Sequence, residues 1–460
     1  MKGTLMSANS KRLPVGIKAG WAFGELAVST YIGLTIAFLL FYSTQALGVS
    51  PWLAGVALLL PRLWDAFTDP LMGVISDRTK SKMGRRRPYL LVGGVMLGFS
   101  IMALFSAPTG GSEVEKAVYV FAMYFLASTA ITIFDVPYSA MAAEMTDDYR
   151  ERTSLTGYKM LAARAGILCV LFAAPMIFGS ESSLAEGFRV VGFSFGGLMI
   201  VSGVGSFLFT RHAPRIESPI ASFNLRAELD AVLSNEPFRA LWSVFFLQNL
   251  AIGAAATTQL YFLTMVVEIK PEHIGAFMAV SATTAMFATP VWLFVARHIP
   301  KRKGYFIAMT ISALTPLAIL FVQPGAYFLM FVILMTAGVG DSAGQLFPNA
   351  MAPDTVEVDE LRTGERREGA IFGAWAFCRK LGMTAGAFVV SVSLSASGFV
   401  QGAPGAEQPV AALLGVRLIY ALLPAALWAM AIVLLTRYRL TESEFEAIKA
   451  EIASAKSNVA

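Results

Sequence analysis

Two cysteines and three histidines are all that the 460 residues contain. Cys169 and Cys378 both fall inside apolar runs, which excludes a disulfide framework and leaves the redox compartment unread. His212, His273 and His298 are scattered at the ends of apolar runs, so neither a His/Cys metal cluster nor a midplane histidine proton relay can be assembled. No HExxH run occurs, and an enzyme is not expected. Charge is scarce as well: 15% of residues are charged against 56% hydrophobic, with a mean hydropathy of +0.62. No soluble protein of this size tolerates that balance. A net charge of +5 could suggest nucleic acid, but the bases are dispersed among short connections, and no nucleic-acid partner is expected.

What is present is about twelve apolar stretches of spanning length, near 20–46, 52–75, 89–107, 117–141, 157–179, 189–210, 238–266, 273–297, 304–322, 326–349, 369–397 and 410–436. Without water to satisfy the backbone they must be helices, since barrel strands would be short and alternating. Arg78, Lys80, Lys82 and Arg85 to Arg87 crowd the connection after the second stretch. Arg211 and Arg215 follow the sixth, and Arg297 and Lys301 to Lys303 the eighth. The alternate connections hold little beyond Lys116 and Lys270. This asymmetry predicts a multi-pass protein of a plasma membrane, a bacterial inner membrane, with both termini cytoplasmic. The basic connections could also meet anionic lipid headgroups.

The predicted organisation is a cytoplasmic leader at 1–19, a six-helix bundle at 20–210, a cytoplasmic linker at 211–237, a second bundle at 238–437 and a tail at 438–460. The halves echo each other: Arg85-Arg86-Arg87-Pro88-Tyr89-Leu90 enters the third helix as Lys301-Arg302-Lys303-Gly304-Tyr305-Phe306 enters the ninth. Such repeats belong to secondary transporters, whose substrate site lies near the midplane between the halves.

Within the second stretch, Arg62, Asp65 and Asp69 recur at helical spacing on one face. Charges at membrane depth cost at least a few kcal/mol each, so they must face a protein interior or a watery cavity. One arginine cannot neutralise two carboxylates, which points to an ion or proton site. Asp65 and Asp69, with Thr68 beside them, offer oxygens of the kind that a hard monovalent cation needs. Two like charges one turn apart do not both ionise without cost, so the pair suits a proton too. Na⁺ and H⁺ both remain open. Asp135, Lys380 and Asp341 are further ionisable groups inside spans, and Tyr138, Trp375 and Tyr261 are candidate pocket aromatics. Arg379, next to Lys380, reads as a side chain that snorkels or points elsewhere.

Several motifs in order carry a resemblance. Trp64-Asp65-Ala66-x-x-Asp69-Pro70 is followed by Gly73-x3-Asp77-Arg78, Gly84-Arg-Arg-Arg-Pro88 and Asp135-Val136-Pro137-Tyr138. Asp354-Thr355-Val356-Glu357 and Arg366-Arg367-Glu368-Gly369 close the series. From about Gly20 to Tyr438 the chain resembles the glycoside–pentoside–hexuronide:cation symporters of the major facilitator superfamily.

The resemblance implies an all-α membrane protein of twelve transmembrane helices in two six-helix bundles. It implies cation ligands at Asp65, Asp69 and Thr132, a carboxylate between cation and sugar at Asp135, and a cavity lysine at Lys380. Arg62 and Asp341 would belong to the charge network. Asp77 and Arg78, with Asp354 and Arg366, would form an inner gate. Thr68 stands where a well-known member has asparagine, Ser29 where it has a sugar-binding aspartate, Ser139 where it has a stacking tryptophan and Met160 where it has an arginine. Glu25, one turn before Ser29, can supply the missing carboxylate, and Lys159 or Arg164 the missing base. The expected function is import of a sugar, glycoside or uronate by symport with Na⁺ or H⁺, by a carrier that works as a monomer without a cofactor. The alternative is a same-fold carrier of an amphipathic substrate such as a lysolipid.

Overall fold

The computed structural model describes residues 13–146, 148–214, 216, 230, 232–364, 367–402 and 407–459. Among the described residues it is helical, with no strand. The first span, α1, runs through Val15–Phe23, Glu25–Ala37, Leu39–Phe41 and a π-helical turn Tyr42–Ala46. It bends by 47° around Phe38. Then come α2 Pro51–Arg78, α3 Arg87–Leu104, α4 Glu113–Met145, α5 Tyr149–Ser180 and α6 Leu184–Thr210. The second half holds α7 Glu236–Met265, α8 Pro271–Val295, α9 Lys301–Leu314 with the 3-10 turn Thr315–Phe321, α10 Tyr327–Met351, α11 Glu368–Ala396 and α12 Val410–Leu435. Amphipathic helices Asp354–Thr363 and Glu442–Val459 lie outside these spans and pack on each other.

Ten of these helices are long and apolar enough to cross a membrane, and bent α1 makes eleven. The twelfth, α2, falls short because it carries Arg62, Asp65 and Asp69 in its middle. Many hydroxyl side chains elsewhere in the spans are satisfied along their own helix. Thr30, Ser43 and Thr258 each donate to the carbonyl four residues back, the cheapest solution where no water reaches. Helix starts follow local chemistry: Ser112 and Glu115 form a capping box for α4, and Asp148, Ser183 and Asn235 cap α5, α6 and α7. The Asp148 cap is why α5 begins at Tyr149 rather than near 157.

Within each half the same pairs pack: α3 on α4 and α6, α9 on α10 and α12, α1 on α5, α7 on α11. Glycines set the closest crossings. A Cβ on Gly94 of α3 would lie 2.8 Å from the Gly203 Cα of α6, so backbones touch there. Gly94→Val is therefore expected to destabilise the protein by about 1–3 kcal/mol, read as a lowered unfolding midpoint in detergent. The run Gly192-Phe193-Ser194-Phe195-Gly196 matches a hydrolase G-x-S-x-G by letters, contrary to a reading without enzyme motifs. It lies in the interior of α6, its end glycines packed on Phe105 and Met102 of the α3 region, with none of the strand-to-helix turn that exposes such a nucleophile.

The halves meet through α1 with α7, α2 with α11 and α5 with α8. They are pressed together at the end opposite the basic connections. There Thr44 and Tyr261 share a 2.6 Å hydrogen bond, the Trp52 amide donates to Ser395 at 2.8 Å, and the Gly402 amide donates to the Thr44 carbonyl at 3.0 Å. Tyr261 is thus part of a seal, not of a pocket. One apolar core runs through both halves at this end, whereas the second half keeps a separate core around Phe245, Tyr305 and Phe347 towards the basic end.

At the basic end each charge cluster stays inside its own half. Asp77 accepts from Arg86 at 2.5 Å, and Arg86 also reaches the Ala140 carbonyl and Glu144, which Arg85 bonds as well. Asp354 accepts from Lys301 at 2.7 Å, and Asp359 from Arg367. In this conformation the partners of Asp77 and Asp354, the residues expected at an inner gate, sit one connection away. Arg78 is exposed. Arg366 lies outside the described residues, as do most of the linker and the leader through residue 12.

Candidate functional site

The face of α2 carrying Arg62, Asp65 and Asp69 packs on α4 and α11, and the two carboxylates meet different surroundings. Asp65 is sealed, with 1% of its side chain exposed. Ser128 donates to one of its oxygens at 2.6 Å and Arg62 to the other at 3.3 Å. Arg62 is itself caged: Nε donates to Tyr124 at 2.7 Å, Nη2 to Thr35 at 3.2 Å, and the guanidinium lies 5.0 and 5.5 Å from the ring centres of Tyr31 and Tyr124. Such a cation is held by hydrogen bonds and ring faces together.

Asp69, one turn on, is 27% exposed. Thr132 of α4 donates to one oxygen at 2.7 Å, and Lys380 of α11 reaches the other at 2.5 Å. Lys380, expected as a cavity lysine, is thus paired with an α2 carboxylate in this structure, and it joins the halves. Thr68, also expected among the ligands, donates its hydroxyl to the Trp64 carbonyl of its own helix at 3.2 Å, which leaves the oxygen lone pairs free.

Towards the basic end a second layer gathers Glu25 of α1, Asp135 and Ser139 of α4 and Lys159 of α5. Lys159 lies 3.4 Å from Glu25 and donates to Ser139 at 3.0 Å, while Ser139 donates to Asp135 at 3.1 Å. The ammonium sits 5.1 Å from the Tyr138 ring centre and 5.9 Å from that of Trp21. Trp21 and Tyr138 are stacked at 5.1 Å, and the buried Oε2 of Glu25 and hydroxyl of Tyr138 have no hydrogen-bond partner. Arg379 of α11, in the other half, is exposed.

Other expected residues are elsewhere. Ser29 is buried with its hydroxyl on the Glu25 carbonyl, and a Cβ on Gly166 of α5 would strike it, so it is a packing contact between α1 and α5. Trp375 stacks on Phe245 at 3.9 Å and donates to Asn349, which puts it in the core of the second half. Tyr138 is fully buried, stacked between Trp21 and Phe134. Sequence reasoning missed Ser128, Tyr124 and Thr35. The first two were within reach: Tyr124, Ser128, Thr132, Asp135 and Ser139 follow one another by three or four residues and form a single polar stripe on α4. Thr35 had no such signal, since its position opposite Arg62 depends on how α1 packs.

Among the described residues no group of His, Cys, Asp and Glu is arranged to hold a multivalent metal. The site instead offers carboxylates, hydroxyls, an ammonium and a guanidinium between two helical bundles, the equipment for binding and releasing small charged and polar solutes.

Comparison with known proteins agrees. The chain is 28% identical to the uncharacterised symporter YnaJ of Bacillus subtilis, covering 97% of this chain and 96% of that protein. It is 26% identical to the glucuronide carrier protein homolog of Escherichia coli, with 95% of each covered. It is 22% identical to the isoprimeverose transporter of Lactiplantibacillus pentosus, with 94% and 90% covered. In fold it is similar to a bacterial homologue of the human lysosomal transporter Spinster in an inward-facing, unoccupied conformation, at a TM-score of 0.66 and 14% identity, covering 93% and 98%. The family described as MFS/sugar transport protein matches residues 20–442. The chain is a multi-pass membrane transporter working by symport of a small molecule with a cation, and it belongs to this family, the glycoside–pentoside–hexuronide:cation symporters.

Proposed function

We propose that the protein imports a sugar, glycoside or uronate together with Na⁺ or H⁺, using the α2 carboxylates for the ion and the Glu25–Asp135–Lys159 layer for the solute. The observation that carries this reading is the Lys380–Asp69 contact between the halves. With no cation bound, Lys380 stands in for one. An arriving Na⁺ or proton neutralises Asp69, takes oxygens from Asp69, Thr132 and Asp65, and releases Lys380 into the cavity. Loss of that link lets the solute bridge the halves instead, through hydroxyl contacts to Glu25, Asp135 and Lys159 on one side and Arg379 on the other. Each ligand then improves binding of the other by a reciprocal coupling of about 1–3 kcal/mol.

If the basic end is cytoplasmic, as charge asymmetry implies, the sealed end faces outward and the cavity opens inward. Asp354, Asp77 and their partners then brace each half rather than latch the two together. A lysolipid is the weaker reading, because the layer that faces the cavity is built from carboxylates and bases.

The test is purified protein in liposomes, assayed with sugars, glycosides and uronates under imposed Na⁺ and H⁺ gradients. Accumulation driven by one gradient is expected; none with any solute and either ion removes the reading. Within that assay Glu25→Gln is expected to raise KM about tenfold, a loss of roughly 1.4 kcal/mol from one charge-assisted contact, whereas Ser29→Ala stays within about twofold.

A further inference from the structure

Two hollows at the basic end are unused by transport, and they are copies of each other. One, of about 320 Å³, lies where the start of α3 meets the end of α6, lined by Lys82, Arg211 and His212 beside Phe207 and Leu208. The other, of about 290 Å³, lies where the start of α9 meets the end of α12, lined by Arg302 and Lys303 beside Phe306, Ile432 and Thr436. The same device builds both. Arg87 donates to the carbonyls of Arg211 and Ala213 just past α6, at 3.0 and 2.7 Å, and Arg302 donates to that of Thr436 just past α12, at 3.4 Å. Among the described residues no Asp or Glu lines either hollow. Each opens on apolar surface that faces outward, Leu208 being 48% and Phe306 46% exposed.

A basic pocket with an apolar flank at the end of a membrane helix fits one occupant: a phosphate attached to acyl chains. Topology alone asks only for positive charge in the connection. It does not ask that the charge line a hollow twice, at corresponding crossings of both halves. We infer that each half binds one anionic phospholipid headgroup of the leaflet at the basic end, the phosphate on Lys82 and Arg211 in the first half and on Arg302 and Lys303 in the second. Bound there, the lipid clamps the third helix of each half to the sixth. This binding is independent of the transport reading, since it needs neither solute nor coupling ion.

The experiment is native mass spectrometry of the full-length protein in detergent, titrated with phosphatidylglycerol, phosphatidylcholine or inorganic phosphate. Two phosphatidylglycerols per chain are expected to bind ahead of phosphatidylcholine. Lys82→Gln with Arg211→Gln is expected to weaken one site about 25-fold, and Arg302→Gln with Lys303→Gln the other, from roughly fivefold per basic side chain near a lipid surface. A second pair, Leu208→Gln and Phe306→Gln, keeps the charges and removes the apolar flank, and should weaken both. Equal binding of phosphatidylcholine, unchanged binding in the fourfold basic variant, or displacement of the lipid by millimolar phosphate would overturn the inference.

Discussion

Asp69→Asn is expected to abolish uphill solute accumulation in liposomes, by at least about a hundredfold in the steady-state ratio, while downhill exchange survives. The reason is local. Of the two carboxylates in the middle of α2, Asp69 is the one with exposed surface, and its oxygens are held by groups that can leave, Thr132 from α4 and Lys380 from α11. Asparagine keeps the shape and the hydrogen bond from Thr132 but loses the charge that both Lys380 and a coupling cation need. About 2.7 kcal/mol of lost cation binding suffices for a hundredfold effect, within what a charged partner in a partly desolvated site supplies. Solute countertransport separates lost coupling from lost binding, because exchange needs no gradient. Full accumulation by the asparagine variant would show that the ion is handled elsewhere.

The second large effect is on stability. Arg62→Leu leaves Asp65 buried with only Ser128 to answer its charge, and is expected to destabilise the protein by about 3–5 kcal/mol, as removal of one partner of a buried ion pair does. Thermal unfolding of the detergent-purified protein reads it directly. The sharper comparison is Arg62→Leu combined with Asp65→Leu, which removes both charges. It should regain most of the lost stability and remain inactive. Such a recovery marks the cost as an uncompensated carboxylate rather than lost packing against Tyr31 and Tyr124. A double variant as unstable as the single would instead assign the effect to the aromatic cage.

The spans were legible because their code is one-dimensional: a run of apolar residues long enough to cross hydrocarbon can only be helical. α2 was legible for the opposite reason, since Arg62, Asp65 and Asp69 interrupt such a run at intervals that share a face. Thr132 and the role of Asp135 came with the motif resemblance, and helical period along α4 would have added Ser128 and Tyr124 to them. Trp375, Ser29 and Tyr138 show where the method stops. Each lies on a helix near the cavity, but a rotation of a few tens of degrees separates a pocket residue from a packing residue, and helix rotation is set by neighbours. For Trp375 the neighbour is Phe245; for Ser29 it is the missing side chain of Gly166.

Helix number, sidedness of charge and the presence of intramembrane ionisable groups followed from composition and order along the chain, because the bilayer imposes length and polarity on every segment independently. Which carboxylate is locked and which is exchangeable, that Lys380 rather than a solute holds Asp69, and that the charge clusters at the basic end stay within their halves were decided only in three dimensions. Those outcomes depend on contacts between residues far apart in the chain, such as Asp69 with Lys380 and Glu25 with Lys159, and no local pattern records the packing that brings them together.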